Sequence, residues 1–542
     1  MYVLGVGGYM HDYNCCLIDV GGKRVAMAEA ERFSRSKHHV VRGEAEVMAP
    51  VRVVCDSLGI NPRKIDVVVH GHADPFQVKE WLKNELPKAR HVEVDHHLCH
   101  AAGAFYSSAY DKALIVSIDG FGDGSSGVIA SGDGMNISEV TRISDADSIG
   151  LEYLRATYHL GLGGYGAEGK TQGLAPYGEP TVFDDYMNEI RVTADGNIIL
   201  SDRLKSQSST LAVEGGYLNT QILTNRFLDD YGPRRITPEP LTKDHNNLAA
   251  SVQKMLEHVI GEVCLNGKSK TGHDALVVSG GVMMNSSLNG RLLESGAFKG
   301  IYALPMASDR GIGLGAALYY VHAEIKVPRF FELDTVFFGG TCSDKAAAKA
   351  MKKAGIRPFV VDDIHGYAAE ALSEGKIIGW VQGRSEMGAR ALGHRSILAD
   401  PGKAEMKDII NQRVKHREWF RPFAPAVLAE KAEDYFDFPE GVADLSFMTF
   451  TVKAKDKAVD DAAAAIHVDK TARVQTVDEE RNPDLHKLIS RFDKLTGVPI
   501  LLNTSFNDNN EPIVETEADA VKTFMKTDMD VLCIGNVVGV KN

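Results

Sequence analysis

The segment VDHHLCHAAGAFYSSAY carries His96, His97 and His100 at the head of a stretch with helical composition. In a helix, His96 and His100 stand at i and i+4 on one face, the spacing that lets two imidazoles share one metal ion, while His97 points elsewhere. A lone histidine is ordinarily a surface or hydrogen-bonded core residue, and the crowding here weighs against that. Carboxylates at strand ends would complete a mixed nitrogen and oxygen sphere, and the best placed are Asp119 in SIDGFGDG and Asp309 in MASDRGIGLGAA. Such a set suits iron(II), manganese or zinc, and spacing does not choose among them. Asp309 also reads as the cap of the helix that follows, a role compatible with ligation.

A second chemistry is signalled further along. Arg384, Arg390, Arg395, Lys415, Arg417 and Arg421 crowd together around Gly388 and Gly393 in a chain of formal net charge −13. Arginine forks around a glycine-containing turn are suited to phosphate, with a solvated charged face as the alternative. Against that alternative, Arg421 lies within WFRPFAPAVL, among aromatic residues and prolines. The segment LLNTSFN adds Asn503, Thr504, Ser505 and Asn507 at a strand end, as nucleotide-fixing groups or turn formers. GYGAEGKT matches the P-loop pattern literally through Gly164, Gly169, Lys170 and Thr171, but no apolar strand precedes it, so it is not read as a P-loop. Lys170 remains either an anion partner or an exposed loop lysine.

These residues need a scaffold that ends buried strands in tight turns. VLGVGG, ALIVSIDGFGDGSSG and ALVVSGGVMMNSS each read that way, with Asp119, Gly120, Gly122 and Gly124 forming one turn of close ligand approach. Helical periodicity runs through NNLAASVQKMLEHVIGEVCLNG, with Gly267 as a stop, so the class is α/β. At 542 residues the chain exceeds a single growing core. A Pro-containing connector after the first half divides it into a unit over 1–335 and a second over 350–542. DKAVDDAAAAIHVDKTARVQTVDEERN reads as a surface excursion.

Composition narrows the class further. Hydrophobic residues at 44% and charged residues at 25% are those of an ordinary globular protein. The acidic balance argues against nucleic-acid or anionic-membrane partners. No apolar run approaches a membrane span and the N-terminus lacks a signal pattern, so a cytoplasmic protein is expected. The scattered cysteines, Cys15, Cys16, Cys55, Cys99, Cys264, Cys342 and Cys533, indicate neither a disulfide framework nor a zinc site.

Taken in order, the motifs resemble the bacterial O-carbamoyltransferases of nodulation-factor and antibiotic biosynthesis. They are His11-Asp12 after the opening strand, E-x-E-R-F-x-R-x-K-H through Lys37, DHHLCHA, DGFGDG, EGKTQGLAPYG, SGGVMMN, SDRGIGLGAA, GRSEMGARALGHRSIL, REWFRPFAPAV and LNTSFN. The resemblance implies an N-terminal domain of the actin, sugar-kinase and Hsp70 superfold and a C-terminal domain similar to threonylcarbamoyl-adenylate synthase (YrdC-like). It implies that the C-terminal domain makes carbamoyl-adenylate from carbamoyl phosphate and ATP (with Mg2+). The N-terminal domain then passes the carbamoyl group to an alcohol of a small molecule. By the same resemblance His96, His100, Asp119 and Asp309 are ligands of iron(II), His11 is the general base and Lys37 is an acceptor-side contact. Gly124, Lys170 and Asn285 then surround the adenylate, while Arg390, Arg421, Ser505 and Asn507 hold ATP and carbamoyl phosphate.

The chain departs from the family pattern at Ala389, Asn510, Thr171-Gln172 and Ala28-Glu29-Ala30, none of which removes a ligand or charged site residue. Two rival activities share these folds, tRNA threonylcarbamoylation and sugar phosphorylation. The acidic charge opposes the first; the histidine pair and the second unit are unexplained by the other.

Overall fold

The computed structural model of the chain describes residues 1–72, 77–205, 211–214, 217–220, 225–439 and 443–541. It is mixed α/β and divides into two compact units. The first comprises Met1–Ala26, Val40–Glu332 and Gly441–Ala443; the second comprises Met27–His39, Leu333–Glu440 and Asp444–Asn542.

The first unit contains two five-stranded sheets with the same connectivity. One runs in the order Arg24–Glu29 (of which Arg24–Ala26 belong to this unit), Asn14–Asp19, Tyr2–Gly7, Val67–His70, Arg90–Glu93; the other runs Asn136–Ser144, Ser125–Asp133, Lys112–Gly122, Ala275–Ser279, Gly300–Ala303. In each, the first strand of the motif pairs antiparallel with its hairpin partner and parallel with the later crossover strand. This doubled motif is the architecture of the actin and sugar-kinase superfold. The central strands are buried along almost their whole length, as expected where both faces are covered. The glycines of VLGVGG serve packing: a Cβ on Gly5 would lie 2.0 Å from the Gly313 carbonyl oxygen, so the helix Ile312–Leu318 lies directly on this strand.

Two local readings are corrected here. The long helix Lys243–Thr271 runs through Gly267 and stops at Gly272, whose φ of 72° is left-handed. Gly267 marks a close contact instead, since a Cβ there would lie 3.0 Å from the end of the Leu114 side chain. The strand Lys112–Gly122 continues past Asp119 through a bulge, and the turn proper is Asp123-Gly124, with φ of 48° and 78°.

The second unit is built on an eight-stranded mixed sheet. Its order is Phe359–Val360, Val537–Val540, Val531–Ile534, Ile378–Val381, Arg395–Ala399, Ile500–Ser505, Ala424–Leu428, Gln475–Val477. Apolar clusters centred on Trp380, Leu398 and Phe492, and on Ile397, Phe506 and Phe524, hold it together. The alanine-rich stretch read as a surface excursion is part of this core. Ala458, Ala462, Ala464 and Ala465 are buried, and Gln475–Val477 is a sheet strand. Small side chains permit close backbone packing, which composition alone mistakes for a loop. All seven cysteines are free thiols. Among the described residues, no helix is long and apolar enough to cross a membrane.

Candidate functional site

In the first unit the histidine segment folds as the helix His96–Ser107, capped by Asp95, whose carboxylate accepts from the Leu98 amide. His96 and His100 share a face with ring centroids 4.7 Å apart, while His97 turns away to bond the Ser125 carbonyl. Asp119, at the strand bulge, and Asp309, beyond the strand Gly300–Ala303, meet them. His100 Nε2 is 3.0 Å from Asp119 Oδ2 and 3.5 Å from Asp309 Oδ1, and His96 Nε2 is 3.6 and 3.7 Å from the same oxygens. Ligand atoms about 2.1 Å from one divalent ion are roughly 3.0–3.4 Å apart, so the set is already near coordinating geometry. His96 Nε2 is also buried without a hydrogen-bond partner. These four residues therefore fit a metal ion.

The surroundings orient the donors. Ser279 Oγ donates to the Ala307 carbonyl and lies 3.3 Å from His100 Nδ1, which holds the ring with its Nε2 facing the carboxylates. Asp123 accepts from the His96 amide and lies 3.1 Å from His72 Nδ1. Gly122 makes room for the His96 ring, which a Cβ would approach to 2.3 Å. Burial works against charge on His100, but hydrogen bonds to Asp119 and Asp309 win, raising its pKa to about 9. The histidines in turn hold Asp119 well below the ordinary carboxylate range against the burial that would raise it.

His11 joins this site from the turn after the first strand. Its Nε2 is 3.7 Å from Asp309 Oδ2, and its Nδ1 is 2.8 Å from the Tyr165 hydroxyl and 3.2 Å from Asp12. Asp12 is itself buried and held by Arg310 at 2.9 Å. Burial opposes protonation of His11, but Asp309 and Asp12 outweigh it and raise its pKa to about 9. The reference value near 6.5, which would make His11 a ready base, does not apply to the metal-free site. Burial pushes the Glu168 carboxyl up to about 7, within electrostatic reach of His11 and Asp119.

The remaining first-unit candidates lie on separate elements. Gly124 occupies the left-handed turn beside Asp123, and Lys170 lies in the short helix Glu168–Leu174. Asn285 follows the left-handed Gly280 and caps the helix Ser286–Glu294, while its amide group also exchanges hydrogen bonds with Gln253. Asp309 does not cap by its side chain, which leaves its carboxylate to the histidines.

The second unit gathers cations. Burial lowers the pKa values of Arg390, Arg417 and Arg421, and neighbouring cations lower those of Arg390 and Arg417 further: Arg473 acts on Arg390, and Arg421 and Arg473 act on Arg417. Arg473 is brought down to about 10 by burial and Arg421. Lys415, depressed by burial and by Arg417, Lys37 and Arg421, donates to the Ser505 and Asn507 carbonyls and to Asn507 Oδ1 at 2.6–2.7 Å. Ser505 Oγ completes that network by donating to Asn507 Oδ1 at 2.7 Å. Lys37 thus lies in the electrostatic neighbourhood of this second-unit cluster. Glu418 opposes Arg417 and Arg421, and Asp508 opposes Lys415. Half-buried arginines gathered around a buried lysine in this way suit an anion.

Two of the crowded arginines have other work. Fully buried Arg395 donates to the carbonyls of Gln382, Gly383, His394, Gly340 and Glu515, and Arg384 donates to that of Phe338. Asn503 is likewise structural, bonding Ala391 and Gln475. Sequence reasoning missed Tyr165, Arg310, Glu168 and Arg473. Tyr165 and Glu168 lay in the glycine-rich stretch already marked for close approach, and Arg310 is adjacent to Asp309. Arg473 lay in the stretch dismissed as an excursion.

The Carbamoyltransferase N-terminus family model matches residues 2–93 and 84–318, and the Carbamoyltransferase C-terminus model matches 369–541. Nodulation protein NolNO of Sinorhizobium fredii is 36% identical over 97% of this chain and 78% of its own length. Nodulation protein NolO of Bradyrhizobium diazoefficiens is 40% identical over 82% of this chain and 78% of its own. The 3'-hydroxymethylcephem-O-carbamoyltransferase of Amycolatopsis lactamdurans is 33% identical over 45% of each chain. Among solved structures, full-length HypF in its phosphate- and nucleotide-bound form is similar over 60% of this chain and 56% of its own, with 14% identity and a TM-score of 0.39. With family models covering both halves and relatives aligned along nearly its whole length, this chain belongs to the carbamoyltransferase family.

Proposed function

We propose that the chain is an ATP-dependent O-carbamoyltransferase that makes carbamoyl-adenylate in its second unit and transfers the carbamoyl group, in its first unit, to a hydroxyl of a small molecule. The observation that carries this reading is the gathering of buried Lys415 with half-buried Arg390, Arg417, Arg421 and Arg473, a crowding of positive charge that suits polyanionic substrates. Carbamoyl phosphate and ATP supply such charge. Their conversion to carbamoyl-adenylate releases pyrophosphate and phosphate and consumes one water. Planar guanidinium forks orient the phosphoryl oxygens and screen the charge between the two reactants.

In the first unit His96, His100, Asp119 and Asp309 would hold a divalent metal, for which family resemblance favours iron(II). When bound, such an ion polarises the carbamoyl carbonyl and neutralises the two carboxylates. The chain's own residues supply the proton transfer. Asp12 and Tyr165 fix His11 through Nδ1, leaving Nε2 directed to the Asp309 side, where it takes the acceptor hydroxyl's proton. Neutralising Asp309 removes the largest influence holding the His11 proton, which brings its titration back toward neutral pH.

The division of labour is tested with His96→Ala and Asp119→Ala. Each is expected to abolish transfer to an alcohol while retaining pyrophosphate release from ATP and carbamoyl phosphate. Loss of pyrophosphate release in both folded variants would refute the assignment of the two half-reactions.

A further inference from the structure

The loop 384–395 carries Arg390 and is held on one side by the second unit's core. Asn503 donates to the Ala391 carbonyl, and Gln475 and Asn482 both donate to that of Leu392, at 2.7–3.2 Å. Within the loop, one oxygen of the buried Glu386 carboxylate accepts from the Leu392, His394 and Arg395 amides. These bonds lie at the loop's own carboxylate and C-terminal to Arg390.

The N-terminal side is held differently. The stretch Met27–His39 clusters with the second unit despite its place early in the chain. From it, Arg32 Nη2 donates to the Glu386 carbonyl at 3.1 Å and to the Gly388 carbonyl at 2.7 Å. Glu29 accepts the Gly388 amide at 2.7 Å, and Arg32 Nε pairs with the same carboxylate at 3.0 Å. Both side chains are nearly fully buried, at 3% and 1% exposure. Gly388 sits at a φ of 90°, so its amide and carbonyl are both satisfied in a conformation the loop reaches only through glycine. Farther along the same stretch, Arg35 donates to the Pro512 and Ile513 carbonyls.

We propose that Glu29 and Arg32 are positioning residues for Arg390: this buried pair from the N-terminal sequence fixes the loop that aims an arginine into the second unit's anion site. The inference rests on the proposed carbamoyl phosphate and ATP chemistry for its functional consequence, and on the hydrogen bonds above for its mechanism. The resemblance assigns neither residue a role, and the family departure at Ala28 and Ala30 leaves both in place. An ion pair buried in this way contributes little net stability, because desolvation offsets its attraction, and its retention is explained by the geometry it imposes. Misplacing a positioning group by about 1 Å costs on the order of 100-fold in rate, so loosening this side of the loop is expected to be felt strongly.

The test uses the full-length chain with Glu29→Gln and Arg32→Gln combined, which removes both charges together and strands neither. Hydrogen exchange is read at residues 388–392, inorganic phosphate affinity by calorimetry, and both half-reactions separately. The expected result is faster exchange in the loop, phosphate binding weakened about tenfold or more, and kcat/KM for adenylate formation lowered by roughly 100-fold. Transfer from supplied carbamoyl-adenylate stays as in the wild type. Arg32→Lys, which keeps the pair but cannot bridge both carbonyls, is expected to lie between and serves if the double variant folds poorly. Unchanged loop exchange, or unchanged phosphate affinity in a folded variant, overturns the inference. A wild type that binds phosphate yet forms no adenylate would refute the proposed function and leave the loop inference standing.

Discussion

Replacing Arg473 by glutamine should move stability and anion binding in opposite directions. The arginine's pKa falls to about 10 because burial and Arg421 disfavour its charge in the folded state. Relative to the reference near 12.5, that is about 2.5 units, or roughly 3 kcal/mol of charging penalty carried by the anion-free protein at neutral pH. The sign follows from proton linkage: the unfolded chain binds more protons between about pH 10 and 12.5, so the penalty is full below pH 10 and relieved only above it. Glutamine removes the charge and keeps a polar side chain of moderate size. Anion-free Arg473→Gln should therefore be more stable than the wild type, by up to roughly 3 kcal/mol less what is lost in packing. A charged hydrogen bond to phosphate is worth about 1.5–3 kcal/mol, so phosphate binding should weaken by roughly 10- to 100-fold. Thermal unfolding with and without inorganic phosphate reads both effects. The variant should start with the higher midpoint and gain less from phosphate. A less stable variant with undiminished phosphate protection would show that the arginine is structural and that the cation excess is not an anion site.

Other expectations follow from the same geometry. Gly122→Ala places a Cβ against the His96 ring and should weaken metal binding and destabilise the chain by about 1–3 kcal/mol, read by metal content and thermal unfolding. In the metal-free protein the His100 pKa of about 9 lies above its unfolded value of about 6.5, so its stabilising contribution is full below pH 6.5 and lost as pH rises through 9. The same proton competes with a cation, so metal affinity measured by equilibrium dialysis should strengthen between pH 6.5 and 8.5. His11→Gln should slow single-turnover transfer from carbamoyl-adenylate by about 100-fold to 10,000-fold while leaving adenylate formation intact. Near-normal transfer by that variant would shift the base role elsewhere, with Glu168, raised to about 7 and in electrostatic contact with His11, the next group to test.

The candidate metal ligands are readable in the sequence because their signals are local. A histidine pair at helical spacing and aspartates following apolar runs survive without any knowledge of topology, and the four donors do converge. What remained hidden depends on long-range packing. The two sheets repeat one connectivity with no short-period sequence repeat to betray it. Gly267 reads as a helix stop in isolation, but it is a contact point for Leu114. Arg473 was masked because alanine-rich polar sequence resembles a loop, whereas here small residues pack tightly beside a sheet strand. Arginine type alone could not separate Arg395, whose donors serve backbone carbonyls, from Arg390 and Arg421 nearby in sequence. The association of Glu29 and Arg32 with a loop some 350 positions away likewise left no periodic trace.

The central claim is that the second unit activates the carbamoyl group as its adenylate before any acceptor is met. Phosphorus-31 NMR of the full-length enzyme with ATP, Mg2+ and carbamoyl phosphate, without an alcohol, tests it directly. The account expects pyrophosphate and inorganic phosphate to appear in equal amounts together with carbamoyl-adenylate, and no ADP. Formation of ADP, or carbamoyl transfer to an added alcohol with no pyrophosphate released, would contradict it.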